Sequence, residues 1–448
     1  MTRLAGGDED VPLQDLVERL DVDEVKRLVV SAAASHADVA RAVRLAAATD
    51  DGRLGVLRTE VDRGLRTRRF LGYRESGAWA RDAVPVVEAL AGAVAAGPTR
   101  ELVELLQRAT GHVVKVILHA DDSDGMIGGL AQDLLDLHAR ACDAQVADPF
   151  RLARWMVRFI FEDQDFFVVD PVRYGAALGD DGVTAYRGEV RKRSSGGDRF
   201  AERYAVERLA VLDRDVDRVV ELFGGDLSAP VQFVRVTEAM LELGRPDDAL
   251  GWARRGIAET TGWQVAKLYD VAAGVLTDRD DRGGVLELRR GQHERMASAS
   301  TYALLQAAAT MVGLWDDERA TARSVLAARD QGGLVDALLA DGDTDDAWAA
   351  ATSGVADPGE HRWQRLAEAR ESTDPAASMA VYLRLADTAL LTADRGAYRV
   401  AIQHLKAARR AAREADRSDV VTDHVSALRE QYRRRPSLIA MLDKADLP

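Results

Sequence analysis

Cysteine occurs once in 448 residues, at Cys142. No internal disulfide can form from it, and no cysteine-based zinc site can be assembled around it. Lysine is nearly as scarce, with 6 lysines against 54 arginines, an imbalance that we read as base composition rather than a nucleic-acid signature. No run of about 18 apolar residues occurs, so the sequence offers no membrane-spanning helix. Its opening, MTRLAGGDEDVPLQ, lacks the basic-then-apolar layout of a secretory signal. Together these absences place the expected location in the cytoplasm. Alternating β-branched runs bounded by turns are also nearly missing, and Phe166 to Val169 is the single strand candidate. Catalytic signatures are missing too. There is no G-x-S-x-G, no Walker loop, no H-E-x-x-H, and no G-x-G-x-x-G after a strand. The expectation is therefore a protein without catalytic residues, metal or cofactor.

What the sequence does contain is helical periodicity and an acidic balance. The net charge is −14 with a pI near 5.2, which repels phosphate backbones unless the basic residues are segregated. Two arginine clusters exist, Arg58 to Arg74 and Arg409 to Arg435, and solvated helix faces account for most such runs. Leu13, Leu16, Val17 and Leu20 step at three and four, as do Val25, Leu28 and Val29. Asp21 with Glu24 predicts a capping box. Proline follows a polar residue or glycine at Pro98, Pro149, Pro171, Pro246, Pro358 and Pro375, and each pair predicts a helix start. The polar, glycine-rich Arg191 to Gly197 predicts a linker, dividing the chain near residue 195 into an N-terminal helical domain, 1–195, and a helical-repeat domain, 196–448.

The second half echoes itself. Gly244-Arg-Pro-Asp-Asp-Ala-Leu recurs as Gly342-Asp-Thr-Asp-Asp-Ala-Trp, and Gly313-Leu-Trp-Asp-Asp-Glu-Arg-Ala is a degenerate copy. A glycine that closes one helix, acids that open the next and a small alanine at the contact describe a helical hairpin. The expected fold is all-α, with irregular tetratricopeptide-like hairpins in two lobes. Trp252, Trp315, Trp348 and Trp363 recur at comparable places. Filling the groove between helix pairs is their plain role, and lining a peptide-binding face is the functional one.

Longer ordered stretches carry a family resemblance. Asp122-Ser123-Asp124-Gly125, Leu137-His138, Ala141-Cys142 and Asp148-Pro149 come first, then Leu178-Gly179 and Tyr186-Arg187. Gly244-Arg245, Trp252-Ala253, Gly342-Asp343, Ala347-Trp348, Leu366-Ala367 and the closing Tyr432-Arg433-Arg434-Arg435 complete the series. In order, they resemble the helical region that follows the zinc finger in bacterial, commonly actinobacterial, SWIM zinc-finger proteins. The finger itself needs Cys-x-Cys and Cys-x-His, which this sequence lacks. The resemblance therefore implies the scaffold part alone, with no carried-over zinc or nucleic-acid contact.

Individual candidates follow from spacing. His138 and Cys142 lie four apart on one helix face, as metal ligands can, yet Leu130, Leu134, His138 and Ala141 continue one apolar stripe. That stripe makes His138 a hydrogen-bonded core residue. Asp122-Ser-Asp-Gly fails the register of a calcium loop, and Ser123 or Asp124 is expected to cap a helix beginning near Met126. The leading expectation is a protein–protein scaffold whose partner meets the C-terminal helix at Tyr398, His404, Arg409 and Tyr432. The alternative is a nucleic-acid-associated factor touching phosphates through Arg433, Arg434 and Arg435, or through the early arginines. A second alternative is an enzyme whose site carries no recognisable motif.

Overall fold

A computed structural model describes residues 13–50, 54–164, 166–194, 200–353 and 357–447. Every regular element among them is helical, and no strand occurs; Leu71 and Ala120 form an isolated parallel bridge. The strand candidate is irregular for a local reason. The Gln164 carboxamide accepts from the Phe166 and Phe167 amides and donates to the Phe167 carbonyl. It thereby occupies the backbone groups that a neighbouring strand would need.

The chain divides into two compact units, Met1–Gly225 and Asp226–Pro448. The polar segment expected as the boundary near residue 195 lies inside the first unit, and its Ser195, Gly196 and Gly197 fall outside the described residues. In the first unit the helices Tyr73–Ala96, Arg100–Ile117 and Met126–Cys142 pack on one another, and Pro149–Arg158 packs on Gly175–Arg193. The apolar stripe of Arg100–Ile117 (Leu102, Leu105, Leu106, Ala109, Val113, Val116) is buried by this packing. Before them, Val22–Ser35 shows the Asp21–Glu24 capping box but has no buried residue.

The second unit runs through Pro230–Glu242, Pro246–Glu259, Val265–Asp278, Arg282–Arg295, Ala299–Met311, Trp315–Arg329, Gln331–Asp341, Thr344–Ser353, Glu360–Arg370, Pro375–Leu390, Arg395–Glu414, Ser418–Gln431 and Pro436–Lys444. Their strongest contacts join neighbours in sequence or next-but-one helices. Gly244 and Gly342 hold φ of +70° and +82°, the left-handed conformation that ends a helix without a Cβ penalty. Behind them, Ala249 and Ala347 are fully buried. The acids of each echo lie within the first turn, at Asp247 and Asp248 and at Asp345 and Asp346, where they favour the helix dipole. At the first echo the cap itself is Arg245, which makes no side-chain capping bond.

Proline opens a helix at Pro149, Pro246 and Pro375 as expected. Pro98 and Pro358 instead stand one residue ahead of the caps Thr99 and Gly359, and the helix after Pro171 begins only at Gly175. For Met126–Cys142 the expected cap shifts by two residues. The Asp122 carboxylate accepts from the Ile127 and Gly128 amides at 2.8 Å each, Asp124 meets Met126 at 3.3 Å, and Ser123 turns to Asp121.

Candidate functional site

His138 is fully buried, and both its ring nitrogens are engaged. The Gln107 amide nitrogen lies 3.1 Å from Nε2, and an amide nitrogen is a donor, so Nε2 accepts. The ring proton then sits on Nδ1 and points to the Tyr174 hydroxyl, 2.8 Å away. Trp155 lies against the imidazole with ring centres 4.3 Å apart. Burial pushes the His138 imidazole down to about 3, which keeps it neutral, and pushes the Cys142 thiol up to about 12. The Cys142 sulfur is 3.9 Å from Nε2. A protonated thiol beside a doubly hydrogen-bonded, neutral histidine is a packed polar core, as the apolar stripe implied.

The early arginine cluster separates into two kinds. Arg63 turns toward the buried Glu60 at 3.3 Å, where Arg44 and Arg41 from outside the cluster also reach it at 2.9 and 3.8 Å, and Arg69 pairs with Glu75 at 3.0 Å. Asp62 takes Arg108 at 2.7 Å and His112 at 2.8 Å; the Arg108 hydrogen bond leads in holding its carboxyl down at about 2. Beyond this network Arg66, Arg68, Phe70, Tyr73 and Arg74 are exposed, with Phe70 at 67% and Tyr73 at 55%. The segment is pinned by Leu71, which donates to the His119 carbonyl and accepts from the Asp121 amide.

In the second unit Trp252, Trp315, Trp348 and Trp363 bridge adjacent helices, their plain role, whereas Trp263 is 81% exposed. Trp252 meets Phe233, Trp315 meets Tyr302 at 5.2 Å, and Trp348 meets Trp363 at 5.7 Å. An arginine covers each outer ring: Arg255 over Trp252, Arg319 over Trp315, Arg370 over Trp348 and Arg384 over Trp363, at 4.4–6.0 Å. The Gly342 turn is anchored through Asp341, which accepts from Tyr302 and Arg323 at 2.6 Å each and from Gln306 at 3.2 Å. Burial raises the Asp341 carboxyl, and the bonds from Tyr302 and Arg323 more than reverse it. The same surroundings push Tyr302 up to about 12.

The four residues expected to meet a partner do not share one exposed surface. Tyr398 is a core residue at 6% exposure, and His404 is half-buried, its imidazole lowered by burial. Arg409 bonds to the Asp446 carbonyl, and Tyr432 is half-buried under Arg435. Of the three arginines in the alternative, Arg433 pairs with Glu430 at 2.6 Å and Arg435 donates to the Leu390 carbonyl at 2.8 Å. Arg434 alone of the three is exposed without an ion pair among the described residues.

The residues that do converge are others. Arg395 and Arg399, on either side of buried Tyr398, face Pro436, Ser437, Ala440, Met441 and Lys444 across a groove of about 910 Å³. The i, i+4 spacing of Arg395 and Arg399 signalled a shared helix face, but nothing in the sequence signalled that Lys444 returns to it. No three histidine, cysteine, aspartate or glutamate side chains gather as a metal site among the described residues, and no helix there is long and apolar enough to cross a membrane. The chain matches no protein-family model and no curated protein.

Proposed function

We propose that this is a non-catalytic helical-repeat scaffold that acts in the cytoplasm by holding another protein. The observation that carries this reading is the connectivity of the second unit. Its helices meet their next and next-but-one neighbours, the packing of hairpins that each bury one side and leave another free. The arginine-covered tryptophans stiffen those junctions without closing a pocket around titratable groups. The resemblance to the helical region of SWIM zinc-finger proteins agrees with this reading and adds no activity to it.

The test is affinity capture by the tagged full chain from cells that express it natively, after nuclease treatment. A near-stoichiometric protein that also binds residues 226–448 is the expected result. Capture of nucleic acid alone, or of no stoichiometric protein, overturns it. The second reading has its own observation: residues 66–75 hold four arginines against one glutamate and expose Phe70 and Tyr73, a stacking surface for single strands. The acidic Asp121–Asp124 loop beside it and the net charge of −14 count against that reading.

A further inference from the structure

A groove of the second unit lies between the start of Arg395–Glu414 and the helix Pro436–Lys444. Its volume of about 910 Å³ falls within the range of built ligand sites. Arg395, Arg399 and Lys444 line it, all three exposed, and no carboxylate does. None of the three makes an ion pair among the described residues; Arg409, Arg410, Arg429 and Arg433 do, while Arg413, Arg417, Arg434 and Arg435 also make none. The nearest acids in sequence are engaged elsewhere. Asp394 accepts from the Ala397 amide at 2.9 Å, and Asp443 pairs with Arg429 at 2.7 Å. Pro436–Lys444 also begins without a side-chain cap, with Ser437 of its first turn on the groove wall. Pro436 has no amide proton, and the Leu438 and Ile439 amides donate to the Arg435 carbonyl, so the dipole of this helix end adds only partial positive charge there. Between these polar groups Pro436, Ala440 and Met441 form an apolar floor.

In a chain of net charge −14, three unpaired cations around one apolar floor form a local inversion of sign. We infer that this groove binds an acidic peptide segment of a partner protein, carboxylates toward Arg395, Arg399 and Lys444 and an apolar side chain on Met441. The inference rests on the scaffold reading and names the chemistry of what is held. Two features select a peptide. The cations stand at opposite sides of the groove, suiting carboxylates spaced along a chain, and the floor between them suits one intervening apolar residue. Arginine contributes planar, bidentate recognition of carboxylate.

The test titrates the full chain into a fluorescein-labelled peptide of repeating Glu-Glu-Leu at moderate salt. Gln-Gln-Leu and Glu-Glu-Ser peptides, phosphatidylglycerol vesicles and labelled poly-dT serve as competitors for the assignment. Saturable binding to Glu-Glu-Leu is expected, weakened about tenfold or more in either substituted peptide. Arg395→Glu and Lys444→Glu should each weaken it about tenfold, the loss of one good charged contact. Both positions are exposed, and unchanged circular dichroism certifies the fold; Arg399→Gln provides a milder variant. Absence of saturable binding, binding indifferent to these substitutions, or tighter binding of vesicles or poly-dT overturns the inference. If it fails while residues 226–448 still capture a stoichiometric protein, the groove assignment alone falls. If both fail, the scaffold reading falls with it.

Discussion

Single residues set how closely the helices approach. At Gly256 an added Cβ would lie 2.7 Å from side-chain carbons of both Phe233 and Leu268, in tightly held neighbours. Gly256→Ala is therefore expected to lower stability by about 1–3 kcal/mol, and Ala249→Leu and Ala347→Leu by similar amounts. Denaturant midpoints measure this, and unchanged midpoints would refute the close packing. His138 sets a pH dependence. Its pKa falls from 6.5 to about 3 on folding, so between those values the unfolded chain binds a proton that the folded chain excludes. Its contribution is complete above about pH 6.5 and declines as pH falls toward 3. Comparing wild type with His138→Gln from about pH 7 to about pH 4 isolates it. The stability gap should narrow as pH falls, and a constant gap would show that His138 takes no part in acid unfolding. That His138 is core was legible from the stripe Leu130, Leu134, His138. Its partners were not, because Gln107 and Tyr174 stand 31 and 36 residues away on other helices.

At the scale of elements, periodicity and caps located most helices, and tertiary contacts moved their edges. Asp122 displaced Asp124 as the main cap of Met126–Cys142 because its carboxylate reaches two amides at once. The C-terminal arginines illustrate the limit from the other side. Sequence shows a basic run, but whether an arginine is free depends on which acid another helix brings. Arg410 meets Glu371 and Arg429 meets Asp443, whereas Arg395 and Arg399 meet none. Helices also differ in how firmly they are held. Val22–Ser35 buries no residue, while Arg100–Ile117 buries nine. Amides of Val22–Ser35 are expected to exchange with solvent at least about 100-fold faster than those of Arg100–Ile117, as follows when opening needs no core disruption. Hydrogen exchange followed by mass spectrometry checks this, and equal protection would mean that another surface covers the first helix.

At the scale of the whole molecule, two apolar cores lie on either side of Gly225. A fragment of residues 226–448 is expected to fold alone, with strongly helical circular dichroism and a cooperative melt. A disordered fragment would refute the independence of that core. The all-helical class was legible from the chain, whereas the division after Gly225 was not. Polar, glycine-rich composition marks a break in helical periodicity, and that signal carries no information on whether the flanking helices share a core. The connectivity of the second unit also bears on how the protein is made. Each helix there meets chiefly partners one or two places along the chain, so most contacts close short loops. On the ribosome, Pro246–Glu259 can dock on Pro230–Glu242 while the later helices are still being made, and each later helix finds a finished surface waiting. Synthesis then advances the fold one helix at a time, and the groove formed by Arg395, Arg399 and Lys444 is the last part of that surface to exist.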